Sequence, residues 1–356
     1  MVEFTREKMT KKQRATLASY PIAVFVFFAF LLFVSIFIGN QKKHNEDNQP
    51  VITQEQIEQK TKKLQAILSN KNDILAQAIY QPVKKDNFYD LEPISAHSGI
   101  VLDAGSGTIL WEKNSTQHRS IASMTKLVTA MVVIDRVRDL DEIVTIPPEV
   151  HSIEGTKVGC PTSTICNGER LRVGEQVRIR DLLKAMLMYS ANDAATVLGI
   201  HVGGSEEEFA KLMNARMKEL GAGNTHFCRP SGLEYDADVE SCYSSAYDIA
   251  RVVAHLLQYD KYDVLWDIMR TKETTFTSVD GNIEHELKNT DRLVGKMPNL
   301  VGAKTGFTPR AGYCLTLTST DPTQKRNIIS VVLDDYHRFD DVQTMSAWAF
   351  DNYTWQ

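Results

Sequence analysis

Residues 98–111, SGIVLDAGSGTILW, place two runs of apolar and β-branched residues on either side of a glycine-rich turn. This pattern predicts a β-hairpin with strands at 98–103 and 108–111. The rest of the folded domain has helical patterns in its middle and strand-like runs near its C-terminal end. Together with the hairpin at its start, this order predicts an α+β domain whose sheet combines strands from both ends. The further elements are helical patterns at 122–137, 179–201, 205–220 and 245–257, strand-like runs at 313–318 and 327–333, and a closing helix at 340–353.

The N-terminal region carries an apolar run at 21–38, PIAVFVFFAFLLFVSIFI, without a charged residue. Its length is about that of a helix that crosses a bilayer. Basic residues are concentrated in 1–20, so the positive-inside rule places that tail in the cytoplasm. A cleaved signal peptide is the alternative, but no Ala-x-Ala-like site follows the run. We therefore expect a single-pass anchor at 21–39 in the cytoplasmic membrane, with the rest of the chain extracytoplasmic.

A polar, charge-rich stretch follows the apolar run and suits a linker over 40–90. Within it, apolar residues recur at three- and four-residue intervals over 54–79, which predicts an amphipathic helix. Two interpretations stay open. The helix is a stalk through which the protein forms a homo-oligomer, or it packs on the folded domain predicted at 91–356.

The composition indicates a globular protein, because 43% of the residues are hydrophobic and 24% are charged. The formal net charge is -5. A chain without a global positive field lacks the electrostatic attraction that drives nucleic-acid binding. We therefore expect no nucleic-acid partner.

The chain has five cysteines, and an extracytoplasmic location favours disulfides among an even subset of them. Cys160 and Cys166 share a loop rich in glycine, proline and threonine, and Cys228 and Cys242 flank another loop-like stretch. We predict one disulfide in each loop and a buried free thiol at Cys314, which lies in an apolar strand. A zinc site is the alternative, but the spacings do not resemble a ligand set, so we expect no metal.

Ser123 and Lys126 form a Ser-x-x-Lys pattern at the start of a predicted helix. The N-terminus of a helix presents free backbone N–H groups, which suit an oxyanion site. Lys126 lies on the same helix face as Ser123, where its amine can act as a base if burial or a neighbouring cation lowers its pKa. Alone, the pattern fits an N-capping serine and a solvated lysine better than a catalytic pair.

Two more short motifs follow in the chain, Ser190-Ala191-Asn192 and Lys304-Thr305-Gly306. The first falls at a break between two helical stretches, where a hydroxyl can relay a proton and an amide can bind a peptide bond. The second has strand-like surroundings, where a lysine and a threonine can hold a carboxylate and a glycine lets substrate approach the backbone. Their alternatives are a helix cap and an edge-strand lysine.

Together, the three motifs resemble the Ser-x-x-Lys, Ser-x-Asn and Lys-Thr-Gly set of β-lactamases and penicillin-binding proteins. From 98 onward the chain is similar to the low-molecular-mass penicillin-binding proteins, the serine-type D-alanyl-D-alanine carboxypeptidases. Matching segments include SIASMTKLVTAMVVID at 120–135, NTHFCRPSGL at 224–233 and VGAKTGFTPRAGYCL at 301–315. The resemblance implies a transpeptidase-like fold, an antiparallel sheet flanked by helices with a helical subdomain, here preceded by one transmembrane helix.

The resemblance also implies an acyl-enzyme mechanism without a cofactor, acting on peptidoglycan stem peptides and inhibited by β-lactam antibiotics. Ser123 is then the nucleophile, with Lys126 as base and Ser190 as proton relay. The substrate would be bound by Asn192, Lys304, Thr305, Gly306 and Phe307, with the oxyanion on the backbone N–H groups of Ser123 and Phe307.

Three alternative functions remain beside the carboxypeptidase. Family carboxypeptidases often carry a β-rich domain and an amphipathic C-terminal helix, whereas this chain ends at Gln356, which favours comparison with the smaller D,D-endopeptidases that cleave cross-links. A β-lactamase needs a further carboxylate for deacylation, and no Glu-x-x-Leu-Asn pattern follows Ser190. A non-catalytic receptor for peptidoglycan or β-lactams is the third alternative.

Overall fold

The structure, a computed structural model, describes residues 80–162, 165–234 and 241–356. The elements in chain order are β1 Pro82–Lys84, β2 Ser98–Asp103, β3 Ile109–Lys113, α1 Thr125–Arg136, β4 Ile143–Thr145, β5 Gln176–Arg178, α2 Ile179–Leu187, α3 Asn192–Gly203, α4 Glu206–Glu219, α5 Ala246–Leu257, α6 Asp263–Arg270, β6 Glu273–Thr277, β7 Glu284–Lys288, β8 Leu300–Thr308, β9 Gly312–Thr320, β10 Asn327–Leu333, α7 Arg338–Asn352 and β11 Tyr353–Trp355.

The largest sheet has five strands in the order β3-β2-β10-β9-β8, all antiparallel. The two N-terminal strands, β2 and β3, thus join three strands from the C-terminal part of the chain. The predicted α+β arrangement, with a sheet built from both ends of the domain, is confirmed. β8 lies at one edge of this sheet, so one side of its backbone is open to a neighbouring segment.

The two faces of the sheet are covered by different helices, because side chains alternate along each strand. In β2, Ile100 and Leu102 belong to one apolar core with α5 and the other central helices. Val101 points to the opposite face and packs in a second core with residues of α7 such as Val342 and Trp348. The sheet is therefore the middle layer between two helical layers.

Helix α1 is buried nearly all round, from Thr125 to Val133. It contacts α3, α4 and α2, which form a helical subdomain beside the sheet. A helix that is buried on every side is surrounded by protein and packs against several neighbouring elements. This central position holds the residues at the start of α1, including Lys126, in a rigid and water-poor environment.

The N- and C-terminal ends of the described chain lie together. β1 pairs with β11, with Val83 opposite Thr354, and the ring of Phe88 meets those of Trp348 and Tyr353 edge to face. The last residues of the segment predicted as a linker, 40–90, therefore contact the folded domain.

The predicted membrane anchor at 21–39 and amphipathic helix at 54–79 lie outside the described residues. Among the residues that the structure does describe, no helix combines the length and apolar character needed to cross a membrane.

The cysteine predictions are confirmed. Cys160 and Cys166 form one disulfide, Cys228 and Cys242 form another, and Cys314 is a free, buried thiol on β9. With both cysteine pairs oxidised, these residues are not metal ligands, and the zinc alternative does not apply to them.

Most of the predicted elements are present with similar bounds, although the helical pattern at 179–201 is divided into α2 and α3. The elements that did not emerge from the sequence are the short strands β1, β4, β5 and β11, the β6–β7 hairpin and helix α6. The hairpin alternates exposed polar positions such as Thr275 and Glu286 with buried ones such as Phe276 and His285. One of its inward-facing residues is a histidine, which is polar. The strand therefore lacks the alternation of apolar and polar residues by which a half-buried strand is predicted from sequence.

Candidate active site

Ser123 lies in a short 3-10 turn, Ala122–Met124, that leads directly into α1. Ala122 has a φ of 48°, in the left-handed region that residues other than glycine rarely adopt. β8 approaches this turn so closely that a Cβ placed on Gly306 would lie 2.7 Å from the carbonyl oxygen of Ile121. The glycine of the Lys-Thr-Gly motif therefore allows its strand to pack against the turn that carries Ser123.

Lys126 is completely buried and has three polar partners. Its Nζ lies 2.8 Å from Ser123 Oγ, 2.7 Å from Asn192 Oδ1 and 2.6 Å from the carbonyl oxygen of Ser231. The last two oxygens can only accept hydrogen bonds. A neutral amine has two N–H groups and one lone pair, so donation to Asn192 and Ser231 leaves the lone pair for the Ser123 hydroxyl. This geometry orients Lys126 as a base toward Ser123.

The electrostatic environment favours the neutral form of Lys126. Burial lowers the pKa of Lys126 well below its ordinary value, and the charge of Lys304 lowers it further, while Asp193 acts in the opposite direction. Only the neutral amine can take a proton, so a lowered pKa increases the active fraction near neutral pH. The alternative interpretation of the motif, in which Lys126 is exposed to solvent, is wrong, because Lys126 is completely buried.

Asp193 is a buried carboxyl that the motif analysis did not select. It accepts hydrogen bonds from the backbone N–H groups of Val158 and Ala194. Burial raises the pKa of Asp193 to about 6, because a charged carboxylate is disfavoured away from water. Its charge state therefore influences the base Lys126.

Ser190 and Asn192 lie at the break between α2 and α3, as predicted. Ser190 has a φ of 65°, and this left-handed residue reverses the chain between the two helices. The side-chain amide of Asn192 bridges two partners, because Oδ1 accepts from Lys126 and Nδ2 donates to the carbonyl oxygen of Glu154 at 2.8 Å. In addition to the predicted contact with substrate, Asn192 thus positions the base.

Lys304 is the second fully buried lysine of the site. Its Nζ donates to Ser190 Oγ at 2.8 Å and to the carbonyl oxygen of Thr305 at 2.9 Å. An ammonium has a third N–H, which is left for a substrate carboxylate. Because the Ser190 oxygen accepts from Lys304, its own proton is free to be donated elsewhere. Burial and the charge of Arg338 lower the pKa of Lys304 to about 7.

Arg338, at the start of α7, contacts the Lys-Thr-Gly strand β8 and its neighbour β9. Its Nη1 donates to the carbonyl oxygens of Gly306 and Cys314, at 2.7 and 3.0 Å. Phe307 follows Gly306, is half exposed, and stacks its ring on Tyr313 at 4.6 Å. The oxyanion role of the backbone N–H groups of Ser123 and Phe307 stays a prediction.

All eight predicted site residues therefore fall on three adjoining segments: the turn before α1 with the first residues of that helix, the α2–α3 break with the start of α3, and strand β8. The site residues that the sequence analysis missed are Asp193, Ser231, Arg338 and Thr290, whose hydroxyl lies 2.8 Å from that of Thr305. Asp193 follows Asn192 directly, and Ser231 lies in the segment 224–233 that carried the resemblance, so both had a weak signal. Thr290 and Arg338 lie outside every motif, and only the fold brings them to the site.

A serine paired with a buried lysine, with a second serine and lysine facing them, defines the site of an active-site serine peptidase. The sequence profile of the D-alanyl-D-alanine carboxypeptidase family matches residues 84–337. The chain belongs to this family.

The relatives of this chain include both D-alanyl-D-alanine carboxypeptidases and D-alanyl-D-alanine endopeptidases. D-alanyl-D-alanine carboxypeptidase DacF of Bacillus subtilis is 33% identical over 229 residues, which cover 63% of this chain and 54% of the relative. The D-alanyl-D-alanine endopeptidase of Pseudomonas aeruginosa is 33% identical over 262 residues, which cover 72% of this chain and 78% of the relative. The chain thus spans about half of the carboxypeptidase and over three quarters of the endopeptidase.

The fold is similar to that of a penicillin-binding protein from Listeria monocytogenes whose crystal structure contains ampicillin. The two chains superpose with a TM-score of 0.61 at 30% identity, over 74% of this chain and 100% of the other. The transpeptidase-like fold, with its antiparallel sheet and flanking helices, is therefore confirmed.

Proposed function

We propose that this protein is a serine-type D-alanyl-D-alanine peptidase that acts on peptidoglycan stem peptides through an acyl-enzyme on Ser123. The observation that carries the proposal is the orientation of Lys126. Its two N–H groups have acceptors in Asn192 and Ser231, so its lone pair is directed to the Ser123 hydroxyl. Membership of the D-alanyl-D-alanine carboxypeptidase family supplies the substrate class.

Acylation follows from these contacts. Lys126 takes the proton of Ser123, and Oγ attacks the carbonyl carbon between the two D-alanines. The charged oxygen of the intermediate is stabilised by backbone N–H groups of Ser123 and Phe307. Ser190, whose oxygen already accepts from Lys304, donates its proton to the departing nitrogen and takes up the proton that Lys126 received from Ser123, so both side chains return to their starting protonation states. The C–N bond breaks, and D-alanine leaves with its carboxylate next to Lys304 and Thr305.

Deacylation reverses the proton path. A water molecule replaces the departed D-alanine, gives a proton to Lys126 and attacks the ester carbonyl. Lys126 passes that proton to Ser123 Oγ as the ester bond breaks, which frees Ser123 and the shortened peptide. A β-lactam has a reactive amide and a carboxylate in similar positions, so it acylates Ser123 in the same way. Its ring-opened product stays attached next to the site, which keeps water from the ester and supports inhibition rather than turnover.

For location, we propose an N-terminal anchor at 21–39 that holds the catalytic domain outside the cytoplasmic membrane. The apolar run and its basic flank support this topology, and two disulfides suit an oxidising compartment. Self-association through 54–79 remains a proposal that rests on the amphipathic pattern alone.

The test uses the full-length protein in detergent micelles, with a diacylated Lys-D-Ala-D-Ala peptide and a fluorescent penicillin. We expect release of D-alanine and covalent labelling, and both should be lost in Ser123→Ala. Ser120→Ala, a change in a nearby serine outside the Ser-x-x-Lys motif, is the matched control. Labelling that persisted in Ser123→Ala would show that another residue is the nucleophile.

A second candidate activity is cleavage of peptide cross-links, the D,D-endopeptidase reaction. It uses the same acylation steps but releases a peptide branch instead of free D-alanine. The similarity to the Pseudomonas aeruginosa endopeptidase, over 72% of this chain, favours this candidate. Parallel assays on a cross-linked dimer and on the free stem peptide distinguish the two activities.

A further inference from the structure

A groove with a volume of about 550 Å³ is lined by Tyr189, the neighbour of Ser190 in the chain, and by Thr290, which contacts Thr305. We call it the hairpin groove, because the β6–β7 hairpin forms one wall. The opposite wall comes from the disulfide-closed loop around Cys160 and from Tyr189. The lining residues that matter below are Tyr189, Glu273, Thr275, Glu286, Lys288 and Thr290.

The hairpin groove begins at the leaving-group end of the active site. Thr290, in its lining, shares a 2.8 Å hydrogen bond with Thr305, one of the proposed carboxylate-binding residues. Tyr189, also in the lining, directly precedes Ser190, which donates the proton to the departing nitrogen. A leaving group longer than D-alanine would therefore extend from Thr305 into this groove.

The chemistry of the groove suits a peptide. Thr275 and Glu286 lie opposite each other in the hairpin register, and Glu273 lies opposite Lys288. All four line the groove and expose their side chains to solvent. Neighbouring carboxylates, an ammonium and a hydroxyl match a branch that carries both amino and carboxyl groups, and they match a uniformly anionic polymer poorly.

Buried contacts hold the groove walls in place. His285, on the inward side of the hairpin, binds Glu175 through Nε2 at 2.7 Å and the carbonyl oxygen of Glu169 through Nδ1 at 2.9 Å. These contacts tie β7 to the loop that follows Cys166. A groove whose walls are fixed before binding costs less conformational entropy when it takes up a ligand.

We propose that the hairpin groove binds the leaving branch of a cross-linked stem peptide, so that the enzyme cleaves cross-links. The inference rests on the proposed acyl-enzyme function and specifies its substrate. In the reaction the amide between the D-alanine carbonyl and the branch nitrogen breaks, and the Ser123 ester forms. The proton of Ser123 passes through Lys126 and Ser190 to the branch nitrogen, so the branch leaves as an amine. Water then hydrolyses the ester.

The test compares a cross-linked muropeptide dimer with an uncross-linked pentapeptide that ends in D-Ala-D-Ala, using the full-length protein. Thr275→Trp and Glu286→Trp fill the groove from adjacent positions, and tryptophan is well tolerated on strands. We expect each to lower kcat/KM for the dimer about tenfold or more, the loss that corresponds to about 1.4 kcal/mol of binding energy. Hydrolysis of the pentapeptide and labelling by fluorescent penicillin should stay within about twofold of the unchanged protein, a difference below 0.5 kcal/mol.

The matched controls are Thr277→Trp and Glu284→Trp, at the next exposed positions on the same two strands, outside the groove lining. Both should hydrolyse both substrates normally. The inference is wrong if the groove variants and the controls behave alike, or if the unchanged protein cleaves the pentapeptide but not the dimer. Failure to cleave either peptide would instead refute the proposed function itself.

Discussion

The charge of Lys304 lowers the pKa of Lys126, although the two lysines bind different serines. Lys126 contacts Ser123 and Lys304 contacts Ser190, each with Nζ 2.8 Å from the hydroxyl oxygen. The roles proposed for the two lysines require opposite protonation states. Lys126 must be neutral to act as a base, and Lys304 must be charged to bind a carboxylate. The charge of Lys304 favours neutral Lys126, and a neutral Lys126 in turn does not repel the charge of Lys304.

The pH dependence of catalysis should therefore have a falling limb. Burial lowers the pKa of Lys304 to about 7, so Lys304 loses its charge above that pH and binds the substrate carboxylate less well. We expect kcat/KM for a D-Ala-D-Ala peptide to fall above about pH 7, since this parameter reports the free enzyme. The same peptide with a C-terminal amide has no carboxylate, and its profile should lack this limb. A falling limb common to both peptides would exclude Lys304 as its source.

Asp193→Asn should shift the rising limb of the profile to lower pH. The charge of Asp193 raises the pKa of Lys126, so its removal leaves Lys126 neutral over a wider range. The measurement is the pH dependence of the rate of penicillin acylation. A shift to higher pH would contradict the assigned interaction between these two side chains.

The same variant should change the free energy of unfolding in a pH-dependent way. The pKa of Asp193 is about 6 in the folded protein and 3.8 in its reference state, so the buried charge destabilises the fold above pH 6. Since one pKa unit corresponds to about 1.4 kcal/mol, Asp193→Asn should stabilise the protein by up to about 3 kcal/mol at pH 8. The gain should fade as the pH falls through 6. Thermal unfolding at pH 8 and pH 4.5 measures it, and equal gains at both values would argue against a buried charge.

Gly306→Ala should slow acylation of Ser123 while leaving the fold intact. The added Cβ would lie 2.7 Å from the carbonyl oxygen of Ile121, so β8 must move away from the turn that holds Ser123. A displacement of about 1 Å in a catalytic site costs about 100-fold in rate. Gly223→Ala is the control, because a Cβ at Gly223 meets no atom within 4 Å. Similar acylation rates for both variants would show that the close approach is not needed.

Loss of the Cys228–Cys242 disulfide should impair catalysis more than loss of the Cys160–Cys166 disulfide. The first closes the segment that contains Ser231, whose carbonyl oxygen accepts from Lys126. Replacing both cysteines by serine should cost about 3 kcal/mol of stability in the chain-entropy model, and should slow penicillin acylation. The matched Cys160→Ser, Cys166→Ser protein should be acylated at the normal rate. Equal acylation rates in the two double variants would contradict a role for the Ser231 segment in positioning Lys126.

Much of the domain was predictable from local pattern. The hairpin at 98–111, helix α1 and strand β10 were found because their residues alternate or repeat at the periods of strands and helices. The β6–β7 hairpin was not found, because its inward positions include His285, whose partners Glu169 and Glu175 come from a distant loop. A buried polar residue is stable only with such partners, and a local pattern does not reveal them.

The sequence by itself determined the three motifs and their order, since these depend on residue types and short spacings, and it predicted a cysteine pairing that the structure then showed. Only the tertiary structure decided that Lys126 is buried and that oxygens of Asn192 and Ser231 accept its hydrogen bonds. It alone also brings Arg338 to the carbonyl oxygen of Gly306. These features arise where segments far apart in the chain meet. Burial and neighbouring charges set the pKa values of the two lysines, and both are properties of the packed molecule rather than of any one segment.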